Sequence, residues 1–188
     1  MRSRVAISIT ASLACILIRI GYAMPQSAPP KVTLTASEEE KSRPSKQEIV
    51  EIMTRLGKLS PDQRDAQVRA IMERKSEGTT PRSDFLFCLG SAYLGQNRAQ
   101  TCVGDDYEHG KGIVDDFNDA FVWYSIALDG SVTDAKTKQS VSEARDRVKG
   151  KLVQSYPSPT DEELDALVKE QKTRIQESQK EAGKAAHK

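Results

Sequence analysis

The segment 102–130 constrains the fold most strongly within the 188-residue chain, because its glycines and its small and aromatic residues recur at helical spacing. Gly104 falls inside a helical pattern, where glycine costs about 1 kcal/mol relative to alanine. We therefore expect a neighbouring helix to approach it closely. Gly110 and Gly112 end this helix and permit positive backbone angles. The segment predicts two closely packed helices joined by a glycine loop.

The second helix of this segment carries small and aromatic residues on one face. Asp116 is a suitable N-cap residue, and Ile113 is placed to fill the open end of the hairpin. The face that follows consists of Ala120, Trp123, Tyr124 and Ala127. Small residues allow two helices to approach each other, and aromatic residues fill the space against the next hairpin.

These residues together resemble a Sel-one-like repeat, a helical repeat related to the tetratricopeptide unit. The family pattern has an apolar–Gly pair, a Tyr, a Gly-x-Gly with an aliphatic residue, an Asp, an Ala, a Trp-Tyr pair and an Ala. The matching positions here are Ala99, Val103, Gly104, Tyr107, Gly110, Gly112, Ile113, Asp116, Ala120, Trp123, Tyr124 and Ala127. The resemblance implies an all-α fold in which antiparallel helix hairpins stack as a short α-solenoid with capping helices.

The resemblance extends more weakly towards the N-terminus. The second helix of a preceding repeat is suggested by Phe87, Cys88, Ser91, Ala92 and Gly95. A single repeat does not bury its own faces, because repeat proteins depend on stacked neighbours. The flanking helices are therefore expected to serve as caps.

Five further helices are predicted within a helical domain over 45–176. The first has an apolar stripe over 49–56 and ends near Gly57, and the second begins with a capping box at Ser60 and carries Val68, Ile71 and Met72 inward. A third covers 83–94, and a sixth holds the apolar residues of 141–152. The last opens at Thr160 with Glu163 in capping-box position and presents Leu164, Leu167, Val168 and Ile175 on one stripe.

The two ends of the chain differ from this domain. Arg2 and Arg4 precede an apolar run over 5–18, and Ala23 closes a small-residue site, so we expect a signal peptide over 1–23 that is cleaved after Ala23. An uncleaved membrane anchor and lipidation of Cys15 are alternatives. Proline, serine and acidic residues predict a disordered linker over 24–44. The apolar stripe stops after Gln176, which predicts a flexible charged tail over 177–188.

The charge balance argues against nucleic acid as a partner. The chain has a formal net charge of +1, and removal of the signal peptide leaves 25 basic and 27 acidic side chains. Nucleic-acid binding would require a clustered basic face. The expected location is periplasmic or secreted, with no stable membrane span after cleavage of the signal.

Signatures of catalysis are missing from the sequence. It contains no nucleophile elbow, phosphate-binding loop, paired zinc-type cysteines or dinucleotide fingerprint. His109 is expected at the surface end of a helix, and the acidic groups around Asp105 and Asp116 are expected to be solvated helix faces. We therefore expect no enzymatic activity, no cofactor and no metal.

Cys88 and Cys102 each lie seven residues from Gly95, the expected turn. An antiparallel hairpin brings them to the same level, and export would permit a disulfide. The alternative is two buried thiols that pack as small apolar residues.

The expected function is that of an exported binding module, a scaffold or regulator in the bacterial cell envelope with a protein or peptide partner. Candidate contact residues are Tyr93, Asp106, Tyr107, Phe121 and Tyr124, although such aromatics are often part of the core. One alternative is a structural subunit of an envelope complex that docks through its charged C-terminal helix. Another is a secreted repeat enzyme with β-lactamase-like activity, which has been ascribed to some secreted relatives of the family.

Overall fold

Seven helices form where the periodicity predicts them in the computed structural model, which describes residues 42–74, 79–130, 134–155 and 157–186. They are α1 (Lys46–Leu56), α2 (Pro61–Met72), α3 (Pro81–Tyr93), α4 (Asn97–His109), α5 (Phe117–Asp129), α6 (Ala135–Val153) and α7 (Asp161–Ala186). Over these described residues the chain contains no β-strand. The predicted all-α class is confirmed.

Side-chain caps fix where several of these helices begin. Ser60 and Gln63 form the predicted capping box at α2, and Thr160 and Glu163 form the one at α7. The helix α3 begins at Pro81, two residues earlier than predicted, because Thr80 and Ser83 also form a capping box. Such reciprocal bonds satisfy backbone N–H groups that a helix start leaves without partners.

The helices stack as a short solenoid. Each of α3, α4 and α5 packs against the next helix in the chain, α1 packs against α3, and α2 packs against α3 and α4. The long helix α7 returns to contact α1, α3 and α5. It therefore covers the face of the array that these three helices share.

The C-terminal part of α7 corrects the expectation of a flexible tail from residue 177. The helix continues to Ala186, and Ser178 and Ala182 are 2% and 9% exposed. They continue the buried face that includes Leu164 and Ile175, at helical spacings of three and four residues. The sequence pattern missed this extension because small and polar residues replace the large apolar ones.

Three other positions also differ from the sequence-based expectation. Met72 and Leu167, which were predicted to point inward, are 42% and 37% exposed. Arg43 falls in the expected linker, but its guanidinium Nη2 lies 2.6 Å from carboxylate oxygens of both Asp116 and Asp119. The segment immediately before α1 is therefore held against the start of α5.

The expected signal peptide, its cleavage site and residues 24–41 of the expected linker lie outside the described residues. Among the helices that the structure describes, none combines the length and the hydropathy required of a membrane span.

Candidate functional site

The hairpin of α4 and α5 contains the residues of the repeat-like motif, and its packing explains the glycine within α4. A Cβ atom added at Gly104 would lie 2.8 Å from ring carbons of Tyr124, closer than van der Waals contact permits. The Tyr124 ring is 2% exposed, and its hydroxyl donates a hydrogen bond to Glu108 Oε2 over 3.1 Å. The missing side chain at Gly104 thus makes room for a buried, anchored tyrosine.

The loop between the two helices requires its two glycines. Gly110 and Gly112 have φ angles of +64° and +70°, in the left-handed region that favours glycine. The Pro81 carbonyl also approaches Gly112 so closely that a Cβ atom would collide with it. Ile113 is 1% exposed, and Asp116 caps α5 by accepting hydrogen bonds from two backbone N–H groups.

The remaining motif residues are packed in the core. Each is at most 6% exposed, and they are Ala99, Val103, Tyr107, Ala120, Trp123 and Ala127. The motif therefore specifies how the hairpin packs and does not itself form a binding surface.

Burial corrects the expectation that five residues contact a partner. All are at most 7% exposed, and they are Tyr93, Asp106, Tyr107, Phe121 and Tyr124. Side chains so deeply buried cannot present a docking surface. Tyr93 shows the reason, because its hydroxyl accepts a hydrogen bond from Gln171 of α7 over 2.9 Å and its ring packs against Trp123.

A network of ion pairs within the chain links α4 to α6. The carboxylate of Glu108, whose side chain is 1% exposed, accepts hydrogen bonds from Arg147 and Lys151 at 2.8–3.0 Å. Burial would raise the pKa of Glu108, but the bonds from Arg147, Lys151 and Tyr124 lower it to about 2. This is a stabilising ion network in which every partner belongs to the same chain.

Among the described residues, a groove runs along α2. Two cavities of about 340 and 370 Å³ share Ile71, Thr79 and Asp84 among their lining residues, so they are parts of one depression. Its apolar residues include Leu56, Leu59, Ile71, Met72 and Phe87, and its ionisable ones are Arg55, Arg74, Asp84, Asp105, Asp106 and Lys111. We call this depression the α2 groove.

Leu59 is a sequence signal for the α2 groove. Leu59 lies in the turn between α1 and α2, outside the stripe of either helix, and is 37% exposed. An apolar residue in such a turn, together with the exposed Met72, indicates that α2 has a second apolar side. Ile71 and Phe87 are only partly buried for the same reason.

A disulfide lies at one end of the α2 groove. Cys88 of α3 and Cys102 of α4 are bonded to each other, with their Cα atoms 6.0 Å apart. This distance lies within the range that disulfides adopt. Of the two sequence-based alternatives, the structure therefore has the bridge. Cys102 lines the groove, and Cys88 is 0% exposed.

Asp106 lies beside this disulfide, and its environment is unusual for a carboxyl group. Its Oδ2 is 3.8 Å from Cys102 Sγ, and the residue is 6% exposed. Burial, followed by the negative charge of Asp105, raises the pKa of Asp106 to about 8, although Lys111 acts in the opposite direction. These surroundings favour the protonated form of the carboxyl at neutral pH.

The two sulfurs and the Asp106 carboxylate form the one cluster among the described residues whose atoms lie close enough to hold a metal, within 4.8 Å of one another. Sulfurs that are bonded to each other offer no thiolate, the form that binds metals. His109 lies apart at the exposed end of α4, where its Nδ1 is 3.0 Å from an Asp105 carboxylate oxygen.

Comparison of this chain with protein-family models, with curated proteins and with solved structures found no match.

Proposed function

We propose that the protein is a binding module related to Sel-one-like repeat proteins, and that it holds an extended segment of a partner protein in the α2 groove. The observation that carries this proposal is the exposed apolar lining of that groove. The lining includes Met72 and Leu59, which are 42% and 37% exposed. Pockets of a few hundred Å³ that combine apolar walls with a few polar groups are typical ligand sites.

The chemistry of the α2 groove favours a peptide with a large apolar side chain next to charged residues. The apolar walls around Ile71 would take the side chain, while Arg74, Asp84 and Lys111 border the cavity with both signs of charge. Exchange of solvent for apolar contact contributes about 25 cal/mol per Å² of buried apolar surface. A residue such as leucine or phenylalanine would therefore anchor the segment.

The repeat-like hairpin supports this assignment indirectly. Residues of α4 and α5 that resemble the family motif pack together, and stacked helical repeats present extended surfaces for partners. The function is that of a scaffold or regulator in the cell envelope. Export rests on the expected N-terminal signal and is tested by the N-terminal residue of the protein isolated from the envelope fraction, which should be Met24.

A selection from a random peptide library against the full chain tests the groove. Peptides with a common apolar anchor should be enriched, and Met72→Glu should weaken their binding by about tenfold or more, because a charge would replace an apolar contact. Val153→Glu is the matched control, since Val153 is 59% exposed on α6, outside the groove lining. Equal affinities for wild type and Met72→Glu would refute the proposal.

The alternative of an envelope subunit that docks through its C-terminal helix is less well supported. The inner face of α7 is already occupied within the chain, where Gln179 donates a hydrogen bond to the Tyr93 carbonyl and Lys46 pairs with Glu181. Docking through that face would require α7 to leave α1, α3 and α5. The α2 groove needs no such rearrangement.

A further inference from the structure

The Cys88–Cys102 disulfide combines three features that bear on its reactivity. It is buried, since the two residues are 0% and 3% exposed. One of its residues, Cys102, nevertheless lines a cavity of about 340 Å³ at the surface. The carboxyl of Asp106 lies 3.8 Å from Cys102 Sγ. A disulfide that only crosslinks two helices requires neither a cavity beside it nor a neighbouring carboxyl group.

The position of Asp106 allows it to exchange a proton with the cysteine pair. A disulfide sulfur has no hydrogen to donate, whereas a thiol is a weak donor and a carboxylate an acceptor. A protonated carboxyl can in turn donate to a sulfur, so the 3.8 Å approach of the two groups allows a proton to pass in either direction between Asp106 and the cysteine pair. Both sulfurs and the carboxylate lie within 4.8 Å of one another, so the carboxyl is also near Cys88.

We propose that Cys88 and Cys102 are a reversible redox couple that exchanges with an aliphatic dithiol in the α2 groove, with Asp106 carrying the proton. This goes beyond a binding role and departs from the expectation that the chain performs no chemistry. It does not rest on the peptide-binding proposal, because a small dithiol can enter the cavity by itself.

The exchange takes place in two displacements. A thiolate of the dithiol attacks Cys102 Sγ, a new sulfur–sulfur bond forms, and the Cys88–Cys102 bond breaks with its electron pair on Cys88. The protonated Asp106 gives its proton to the Cys88 thiolate. The Asp106 carboxylate takes the proton of the second thiol as this thiol attacks the dithiol sulfur that is bonded to Cys102. Cys102 leaves as a thiolate and takes from solvent the proton that the first thiol gave up when it ionised. The dithiol is thus oxidised to a disulfide, and the protein pair is reduced by two electrons and two protons.

The geometry also fixes which cysteine is attacked. Cys102 is in the cavity lining, whereas Cys88 is not among the described residues that form it and has no exposed surface. Thiol–disulfide exchange requires access of the attacking thiolate to one sulfur. Cys102 is therefore the entry sulfur and Cys88 the leaving one.

The charged surroundings of Asp106 favour its protonated form. Burial raises the pKa of Asp106 most, Asp105 of α4 and Asp84 of α3 act in the same direction, and Lys111 of the following loop opposes them. Arg74, just after α2, also lines the cavity. A proton held at neutral pH can be given to a leaving thiolate, and the carboxylate can recover it from the next thiol.

The test measures the rate at which dithiothreitol reduces the disulfide in the folded full chain between about pH 5 and pH 9. Alkylation of quenched samples followed by mass spectrometry gives the reduced fraction. Asp106→Asn should slow reduction about tenfold or more at pH 6–7, whereas Asp115→Asn, an exposed acid outside the cavity, should leave the rate unchanged. A peptide with two cysteines in place of dithiothreitol shows whether the groove prefers peptide dithiols.

Single-cysteine variants test the asymmetry of the pair. In Cys88→Ser the free Cys102 should form a mixed disulfide with oxidised glutathione, and in Cys102→Ser the buried Cys88 should react at least about tenfold more slowly. If circular dichroism shows that Cys88→Ser does not fold, the proposal is tested by comparing the reduction rates of Asp106→Asn and the wild type. Two results would overturn the proposal. One is that the disulfide of Asp106→Asn is reduced as fast as that of the wild type. The other is that the wild-type disulfide is reduced only at the rate of global unfolding.

Discussion

Single residues decide how closely helices of this array approach. Gly104 shows this best, because the space that its side chain would occupy contains the ring of Tyr124. The sequence predicted a close approach at Gly104 from the cost of a glycine within a helix. It did not predict that the approaching group is an aromatic ring anchored by Glu108, because that contact joins two helices.

Gly104→Ala should lower the free energy of unfolding by about 1–2 kcal/mol, since the cost of overpacking against Tyr124 exceeds the gain in helix propensity. Gly150→Ala is the matched control in α6. It has no neighbour within 4 Å of the added Cβ atom, so it should stabilise the protein by about 0.5–1 kcal/mol. Urea unfolding monitored by circular dichroism measures both. A neutral or stabilising Gly104→Ala would contradict this account of the hairpin.

At the scale of elements, α7 is where sequence and structure differ most. Capping residues and apolar spacing predicted where this helix begins, and they predicted the helices of the repeat-like hairpin closely. They could not predict that α7 returns to cover α1, α3 and α5, because periodicity gives a helix an inner face but not its partner. The same limitation explains why buried aromatics such as Tyr93 were expected to be available for binding.

Truncation after Gln176 tests the contribution of the C-terminal part of α7. The change removes the buried Ala182, the bond from Gln179 to the Tyr93 carbonyl and the ion pair of Glu181 with Lys46. We expect a loss of about 1–3 kcal/mol in the free energy of unfolding. Truncation after Ala186 is the control and should be neutral. If both truncated chains were as stable as the full chain, residues 177–186 would contribute no packing energy.

For the whole molecule, buried carboxyl groups set how stability depends on pH. Burial raises the pKa of Asp106 to about 8 and that of Asp119 to about 6. These pKa values in the folded state exceed those in the unfolded state. The two protonated carboxyls therefore contribute to the free energy of unfolding below about pH 4, and this contribution is lost as the pH rises through about 6 and 8. The carboxylate of Glu108, whose pKa is about 2, stabilises the folded state above about pH 4.5. This stabilisation is lost as the pH falls.

Stability should therefore be greatest near about pH 4 to 4.5 and should fall by at least about 1 kcal/mol towards pH 8.5. Urea unfolding of the oxidised protein across this range is the measurement. The double substitution Asp106→Asn with Asp119→Asn should remove most of the decline on the alkaline side and leave the acid side, governed by Glu108, in place. A wild-type profile that rises steadily from pH 5 to pH 8.5 would be incompatible with this expectation.

The packing of α7 against α1 has a consequence for how the array comes apart. In an open solenoid each unit contacts only its neighbours, so terminal units can fray while the centre persists. Here the first and last helices of the described fold hold each other, and loss of either one exposes the other. Opening at one end therefore propagates to the opposite end, which makes the molecule behave as a closed, all-or-none unit that cannot be lengthened by simply adding repeats.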